Sequence, residues 1–324
     1  MKASLFFRTM LPALLVNLCI SLGVQAQTYP SQTVQIIVPY PAGGAADILG
    51  RELAERLTKT WGRPVIVDNR AGAGGALGVD LVAKAKPDGH QLVLGVTGAL
   101  TIAPHMRKLP YDPLRDLAPI SLVGASPSML AVHPSVPANS VAELIALAKS
   151  QPGKLTFSSA GIGTSVHIAG ELFKSMAGID VLHVPYKGGN PSVQGLLAGE
   201  VSMTFENIPS LQQHVQANKL KGLAVTSATR SAQADKLPPV ADTLPGYQVT
   251  TWFGLFAPAG TPSVLVDKIS RDVVEALSPA PLRSKLANLG IDVMASTPAA
   301  LAEHLQAETK RFARVISNAN IKAE

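Results

Sequence analysis

The sequence predicts an α/β protein of two lobes, in which parallel sheets are covered by helices on both faces. After residue 26, short apolar runs typical of buried strands alternate with segments whose apolar residues recur at helical spacing. This alternation is typical of parallel sheets joined by helices. The chain has 324 residues, which is more than one hydrophobic core usually organises, so we expect two lobes.

The first lobe begins with three predicted strands separated by two helices. Each strand is a short run of β-branched and apolar residues, and glycine-rich turns follow the first two strands. The predicted strands are 34–39, 64–68 and 91–96, and the predicted helices are 48–57 and 79–84.

The middle of the chain repeats this alternation and predicts a second α/β lobe. Ser140 and Glu143 form a capping box that begins a helix ending at Lys149. The remaining elements predicted here are strands at 128–132, 155–158, 181–184, 201–205 and 222–225, with helices at 165–176, 191–198 and 208–217.

The end of the chain carries too few strands to form a lobe by itself. It contains a predicted strand at 249–256, followed by helices at 262–277, 281–289 and 301–316. We therefore expect this tail to pack on the first lobe. The predicted division is a discontinuous lobe one of residues 27–127 and 245–324, and a lobe two of residues 128–244. Two strand-like crossovers would join them, as in a hinge that closes on a ligand.

The first 26 residues have the pattern of a secretory signal peptide. Lys2 and Arg8 flank the start, residues 11–24 are almost all apolar, and small residues precede a cleavage site after Ala26. The apolar run is shorter than the roughly 20 residues that a membrane span needs. We expect cleavage and no stable membrane insertion of the mature chain. Cleavage removes the one cysteine, Cys19, so no disulfide or cysteine metal site is expected.

Charge and motifs exclude several classes of function. The formal net charge is +6, but the cations are scattered rather than gathered in a stripe, which argues against a nucleic-acid partner. The sequence has no G-x-S-x-G elbow, no phosphate loop ending in Gly-Lys-Ser/Thr and no H-E-x-x-H motif. Its histidines show no metal-ligand spacing, so we expect no metal, no cofactor and no catalytic residue. Because triads are defined by geometry, a secreted hydrolase or lyase acting on an organic acid stays an alternative.

The turn at residues 40–47 is the first candidate ligand site. Parallel sheets bind ligands at the carboxyl ends of their strands, where helix N-termini present free N–H groups. Here Gly43 and Gly44 allow the backbone to approach a ligand, although the same pattern suits an ordinary tight turn. Asp47 either satisfies free N–H groups or, beside an anionic ligand, would repel it unless Asp47 turns away or pairs with a ligand ammonium. The candidate binding residues are Tyr40, Ala42, Gly43, Gly44, Ala45, Ala46 and Asp47.

Two further turns also connect a predicted strand to a predicted helix. The glycine-rich turn at 69–78 does not predict a dinucleotide site, because Leu77 stands where G-x-G-x-x-G needs glycine. The turn at 158–165 places hydroxyls and small residues before a helix, which suits a carboxylate or phosphate and equally suits an ordinary capped helix. Its candidate residues are Ser159, Gly163, Thr164 and Ser165. His167 is more typical of a structural histidine than of a ligand-binding one.

Eight segments, taken in order, carry a resemblance to a known family. They are IIVPYPAGGAAD at 36–47, VDNRAGAGG at 67–75, KPDG at 86–89, LPYD at 109–112, PGKLTFSSAGIG at 152–163, HVPYKG at 183–188, LAVT at 223–226 and APAGTP at 257–262. With these segments the chain resembles the extracytoplasmic solute receptors of the tripartite tricarboxylate transporter family, also called Bug proteins.

The resemblance implies a periplasmic binding protein of two α/β lobes, a Venus flytrap, that delivers an organic carboxylate to membrane permease subunits. It implies that the turn at 42–47 holds one ligand carboxylate and that the turn at 159–165 holds the distal end. It adds Thr97, Tyr186, Lys187 and Glu206 as ligand-binding positions. A receptor that presents its carboxylate to a sensor kinase is the alternative within this class.

Overall fold

The computed structural model describes residues 29–321, which contain strands and helices in alternation. The strands are β1 (Val34–Val38), β2 (Val65–Asn69), β3 (Gln91–Val96), β4 (Leu117–Val132), β5 (Thr156–Ser159), β6 (Leu182–Pro185), β7 (Met203–Asn207), β8 (Lys221–Val225), β9 (Thr250–Pro258) and β10 (Asp292–Val293). The helices are α1 (Ala45–Trp61), α2 (Ala76–Ala83), α3 (Ala103–Met106), α4 (Val141–Ser150), α5 (Ser165–Ala177), α6 (Gly189–Leu197), α7 (Ile208–Gln216), α8 (Ser263–Ala276), α9 (Ala280–Asn288) and α10 (Pro298–Asn318).

The strands pair in the order β2-β1-β3-β9-β4-β7-β5-β6, and both β8 and β10 also pair with β4. Strands β1, β2 and β3 are parallel to one another, and so are β5, β6 and β7. The two parallel groups lie on either side of the antiparallel pair β4 and β9. The fold is therefore α/β with two halves, as the sequence predicted.

Strand β4 runs through both halves. Its residues 117–127 pair with β9, whereas residues 128–132 pair with β7 and β8. The sequence predicted a strand only over 128–132. The earlier part is interrupted by Pro119 and Pro127 and by two register shifts, and prolines weaken a strand pattern because they lack the N–H donor.

The two halves have separate apolar cores. In the first half, Ile36 and Leu94 pack with Leu53 of α1 and with Ile269 of α8. In the second half, aromatic side chains of β5, α5 and β7 pack with Tyr247. Of the C-terminal helices, α8 joins the first core and α10 adds Leu301 to the cluster around β1 and β3.

Six short elements were not predicted from the sequence: the π-helical turn at Gly98–Ile102, helix α3, strand β10, and three 3-10 helices at Ala73–Gly75, Ala232–Ala234 and Val240–Asp242. Each is too short to show a hydrophobic period of its own. The signal peptide predicted for residues 1–26 lies outside the described residues. Over residues 29–321, no helix has the length and apolarity needed to cross a membrane.

Candidate functional site

A small cavity lies where helix N-termini from both halves of the fold meet. Its volume is about 60 Å³. Its walls come from the first residues of α1, α5, α6 and α7, with β9 behind them. We call it the helix-end cavity, and it is lined by Tyr40, Pro41, Gly44, Ala45, Ala46, Asp47, Val96, Ala160, Thr164, Ser165, Val166, Gly189, Asn190, Glu206, Asn207, Ser210, Thr251 and Phe253.

Three of the four helix ends leave their backbone N–H groups without a side-chain cap. The N-cap residues Gly44 of α1, Gly188 of α6 and Asn207 of α7 make no side-chain capping bond. Only α5 is capped, by the Thr164 hydroxyl, which accepts a hydrogen bond from the N–H of His167 at 3.2 Å. Uncapped N–H groups and the positive end of the helix dipole together favour an anion.

Asp47 lines this cavity, but its charge already has partners. Its carboxylate accepts hydrogen bonds from the Gly43 N–H at 2.9 Å, from Arg51 at 3.0 Å and from Asn69 at 3.0 Å. Burial raises the pKa of Asp47, but these hydrogen bonds outweigh burial, so its pKa lies below the ordinary value. Asp47 therefore holds the turn at 40–47 in place as a paired carboxylate, and Arg51 offsets its charge.

Glu206, at the end of β7, is the second acid in the lining. Burial raises its pKa to about 8, although the Asn207 N–H donates a hydrogen bond that lowers it. Its Oε1 atom is buried and has no hydrogen-bond partner among residues 29–321. Among residues 29–321, no Lys, Arg or His lines this cavity. A buried carboxyl with a free oxygen thus faces a cavity lined by helix ends.

Two hydrogen bonds join the halves of the fold across this cavity. The hydroxyls of Ser165 on α5 and Thr251 on β9 lie 2.6 Å apart. The Asn190 side chain on α6 donates a hydrogen bond to the Ala42 carbonyl at 2.8 Å. The two halves of the fold are therefore in direct contact around the helix-end cavity.

A second and larger cavity, of about 400 Å³, adjoins the first, because Tyr40, Pro41 and Ala160 line both. We call it the Arg107 cavity. Its charged lining residues within the described part of the chain are Arg107 and Lys187, and both are cations. The guanidinium of Arg107 donates a hydrogen bond to the Ala73 carbonyl. The full lining is Tyr40, Pro41, Ala71, Gly72, Ala73, Gly74, Gly75, Arg107, Ala160, Gly161, Ile162, Pro185, Tyr186, Lys187 and Gly188.

The structure distributes the residues expected from the sequence over three places. The helix-end cavity contains Tyr40, Gly44, Ala45, Ala46, Asp47, Thr164, Ser165 and Glu206. The Arg107 cavity contains Tyr186 and Lys187, and Tyr40 lines it as well. Neither lining includes Ala42, Gly43, Thr97, Ser159 or Gly163.

Two of the residues outside both linings have side chains that are occupied by internal hydrogen bonds. The buried hydroxyl of Thr97 accepts from the Trp252 N–H at 2.7 Å and donates to the Trp252 carbonyl at 3.2 Å. The Ser159 hydroxyl lies 2.7 Å from His183 Nε2 and accepts from the Gly161 N–H at 3.1 Å. These two side chains position the strands and turns behind the cavities.

Sequence reasoning missed several polar lining residues. Asn190 lies in the first turn of α6, Asn207 ends β7 as the N-cap of α7, and Ser210 lies in the first turn of α7. Their position at strand-to-helix turns is the signal that points to them, because ligands bind at the carboxyl ends of parallel strands. Thr251 has no such signal, because it lies within β9 and meets the cavity only through the packing of that strand.

An α/β fold of two halves, with helix N-termini of both halves around a closed cavity, is that of the periplasmic binding proteins. The chain belongs to the tripartite tricarboxylate transporter receptor family, whose sequence profile matches residues 49–321. The resemblance inferred from the motifs is thereby confirmed, and the family is one of substrate-binding receptors.

Individual relatives agree with this assignment. The chain is 35% identical to Protein BugT of Bordetella pertussis over 94% of each chain. Its fold matches a solved structure of R. palustris Rpa4515 with adipate at a TM-score of 0.88, with 33% identity over 91% of this chain and 99% of that one. It also matches MatC from Rhodopseudomonas palustris with bound malate at a TM-score of 0.85, with 31% identity over 89% and 100% of the two chains.

Proposed function

We propose that this protein captures a small organic carboxylate in the periplasm and delivers it to the permease subunits of a tripartite tricarboxylate transporter. The observation that carries the proposal is the helix-end cavity, where three helix N-termini without side-chain caps meet. Such an arrangement binds an anion through backbone N–H groups without a cationic side chain. The relatives with adipate and malate support a carboxylate as that anion.

The two cavities divide the ligand between them. One carboxylate lies in the helix-end cavity against the backbone at Gly44, Ala45 and Ala46, because this cavity is small. The remainder extends past Tyr40 into the Arg107 cavity, where Arg107 and Lys187 attract a distal acid. Two carboxylates with charge-assisted hydrogen bonds of about 1.5 to 3 kcal/mol each account for micromolar affinity, which needs about 8 kcal/mol after association costs.

The other expected site residues do not contact the ligand through their side chains. They shape or support the backbone around the two cavities. Ala42, Gly43 and Gly163 shape the turns that precede α1 and α5, whereas Thr97 and Ser159 hold the chain behind the site.

We further propose that the chain divides into lobe one, residues 27–127 and 245–324, and lobe two, residues 128–244. The ligand enters through a cleft that opens between these lobes. The change of partners within β4 near residue 127 supports this division. A hinge rotation there would break the contacts of Ser165 with Thr251 and of Asn190 with Ala42, and would expose the helix ends to solvent.

A thermal-shift screen tests the proposed function. The mature chain is unfolded and refolded to remove bound ligand, then mixed with adipate, malate, citrate, benzoate, aspartate or the uncharged control adipamide. An acid at 100 times its Kd adds about 2.7 kcal/mol of stability and raises Tm by several degrees. A shift with one class of acid supports the proposal, and no shift from folded protein with any acid contradicts it. Chemical conversion of the bound acid would instead indicate an enzyme.

The delivery step is tested separately by uptake into proteoliposomes that contain the cognate permease subunits. We expect uptake of the bound acid only when this protein is present on the receptor side. Uptake that is independent of the protein, with a sensor kinase responding to its acid-bound form, would favour the signalling alternative.

A further inference from the structure

The helix-end cavity contains a buried acid whose charge has no counter-ion. Glu206 is 2% exposed, and its Oε1 atom has no hydrogen-bond partner within residues 29–321. Asp47, the other acid of the cavity, is paired with Arg51 at 2.9 Å. No Lys, Arg or His of the described chain lines the cavity beside Glu206. An isolated buried carboxylate is costly, so the neutral form of Glu206 is favoured.

The elements packed around Glu206 offer no free cationic side chain. Strand β7 packs against β4, β5, α5, α6 and α7, and of these β4, β5 and α6 carry no ionisable side chain. The ionisable residues on the two remaining helices are His167, Glu171, Lys174 and His214. Lys174 is paired with Glu171 at 3.0 Å. Burial first, and then the charge of His183, lower the pKa of His167 to about 3, so its ring is neutral. Burial first, and then the charge of Lys219, lower the pKa of His214.

Across the cavity, Tyr40 and Asp47 are the ionisable groups that face Glu206. Burial, and then the nearby Glu206 charge, raise the pKa of the Tyr40 hydroxyl, so Tyr40 is neutral too. A ligand carboxylate in the same cavity would therefore meet Glu206 with no cation between them. Two carboxyl groups that share a small buried site cannot both be ionised at neutral pH. The pair therefore retains one proton.

We propose that Glu206 meets the ligand as a neutral carboxylic acid and donates a hydrogen bond from its free oxygen to a ligand carboxylate. This inference rests on the proposed function and specifies it. Capture of the anion then requires a proton on Glu206. The proposal also restricts the class of ligand, because a neutral carboxylic acid cannot form an ion pair with an ammonium group. Plain or hydroxylated organic acids are preferred to amino acids of the same shape, such as malate to aspartate.

The proton requirement makes a quantitative prediction. With the pKa of Glu206 raised to about 8, its neutral fraction falls about tenfold between pH 7 and pH 9. If only the neutral form binds the acid, Kd rises by the same factor over this range. Binding at about pH 8 also takes up about half a proton per ligand, because half of the unbound Glu206 is ionised there and the bound anion holds Glu206 neutral.

Isothermal titration calorimetry tests both consequences with the acid that gives the largest thermal shift in the panel above. Titrations at pH 7 and pH 9 measure the change in Kd, and titrations at pH 8 in two buffers of different ionisation enthalpy count the protons taken up. Glu206→Gln keeps an N–H donor, so we expect carboxylate binding whose Kd no longer changes with pH and no proton uptake. Glu206→Ala lacks a donor and should lose at least tenfold in affinity at pH 7. The exposed Glu303→Gln on α10 serves as the charge-matched control and should behave as wild type.

The outcomes separate this inference from the proposed function. Wild-type binding of an acid with the same Kd at pH 7 and pH 9 and no proton uptake overturns the role of Glu206 and leaves the receptor function standing. Preference for aspartate over malate, lost in Glu206→Gln, also overturns it, because an ionised Glu206 would then pair with the ammonium. No binding of any acid removes the proposed function and this inference together. Should Glu206→Gln fail to fold, the infrared band of a protonated carboxyl group in wild type at pH 7, absent at pH 10, reports the neutral acid directly.

Discussion

Gly189 lies directly against the carboxyl group of Glu206. A Cβ atom at position 189 would come within 2.9 Å of Glu206 Oε2. Gly189 is the first residue of α6, so this contact sets the buried acid beside a helix N-terminus. Because Gly189 has no side chain, the Glu206 carboxyl group has space beside it in the helix-end cavity.

Substitution of Gly189 by alanine should therefore disturb both stability and binding. The new methyl group forces the buried Glu206 carboxyl to move, and overpacking of this kind costs about 1 to 3 kcal/mol. We expect a lower Tm and a Kd for the bound acid at least fivefold higher, measured by thermal unfolding and calorimetry. Gly44→Ala is the matched control for stability, because a Cβ there meets nothing within 4 Å. An unchanged Tm and Kd in Gly189→Ala would contradict the contact.

A larger side chain at Gly44, the N-cap of α1, should leave the stability of the fold nearly unchanged but should weaken ligand binding. Gly44 has a φ of −86°, which every residue adopts, and it lines the helix-end cavity. Gly44→Val should fold with nearly the wild-type Tm, while its branched side chain fills the space needed by the ligand carboxylate. We expect at least a tenfold loss of affinity by calorimetry, with Gly44→Ala intermediate. Full affinity in the valine variant would mean that the ligand does not approach α1.

Arg107 should discriminate diacids from monoacids. We expect Arg107→Gln to weaken binding of adipate about fivefold, which corresponds to about 1 kcal/mol for a partly exposed charge pair. Binding of hexanoate, which has the same chain length but no distal acid, should change little. Lys108→Gln removes the same charge one residue along the chain, outside the Arg107 cavity. Equal losses for adipate and hexanoate would indicate a general effect of the variant rather than recognition of the distal carboxylate.

The hydrogen bonds of Asp47 should stabilise the fold at neutral pH and not in acid. Because these bonds hold its pKa below the ordinary value, their contribution is complete above that value and is lost as the pH falls through the folded-state pKa. Asp47→Asn weakens the bonds to Arg51 and the Gly43 N–H, so it should cost about 1 kcal/mol at neutral pH.

Urea unfolding at about pH 7 and about pH 3 measures this difference, which should shrink at the lower pH. The exposed Asp267→Asn on α8 is the control and should match wild type at both pH values. A difference between Asp47→Asn and wild type that grows in acid would contradict the assignment.

The sequence by itself determined the α/β class, most of the helices and strands, and the two turns at 40–47 and 158–165. These features depend on local patterns: apolar periodicity, glycine where the chain turns tightly, and hydroxyls before a helix. The family motifs could also be identified from the sequence, because each of them is a short contiguous segment.

Only the tertiary structure decided which of these residues face a cavity. Thr97 and Trp252 lie 155 residues apart in the chain, yet their hydrogen bonds fix Thr97 behind the site. The free oxygen of Glu206 and the hydrogen bond that Asn69 donates to Asp47 follow from which elements pack around each acid. Burial and the choice of hydrogen-bond partner depend on residues that are distant in sequence, and a local pattern carries no information about them.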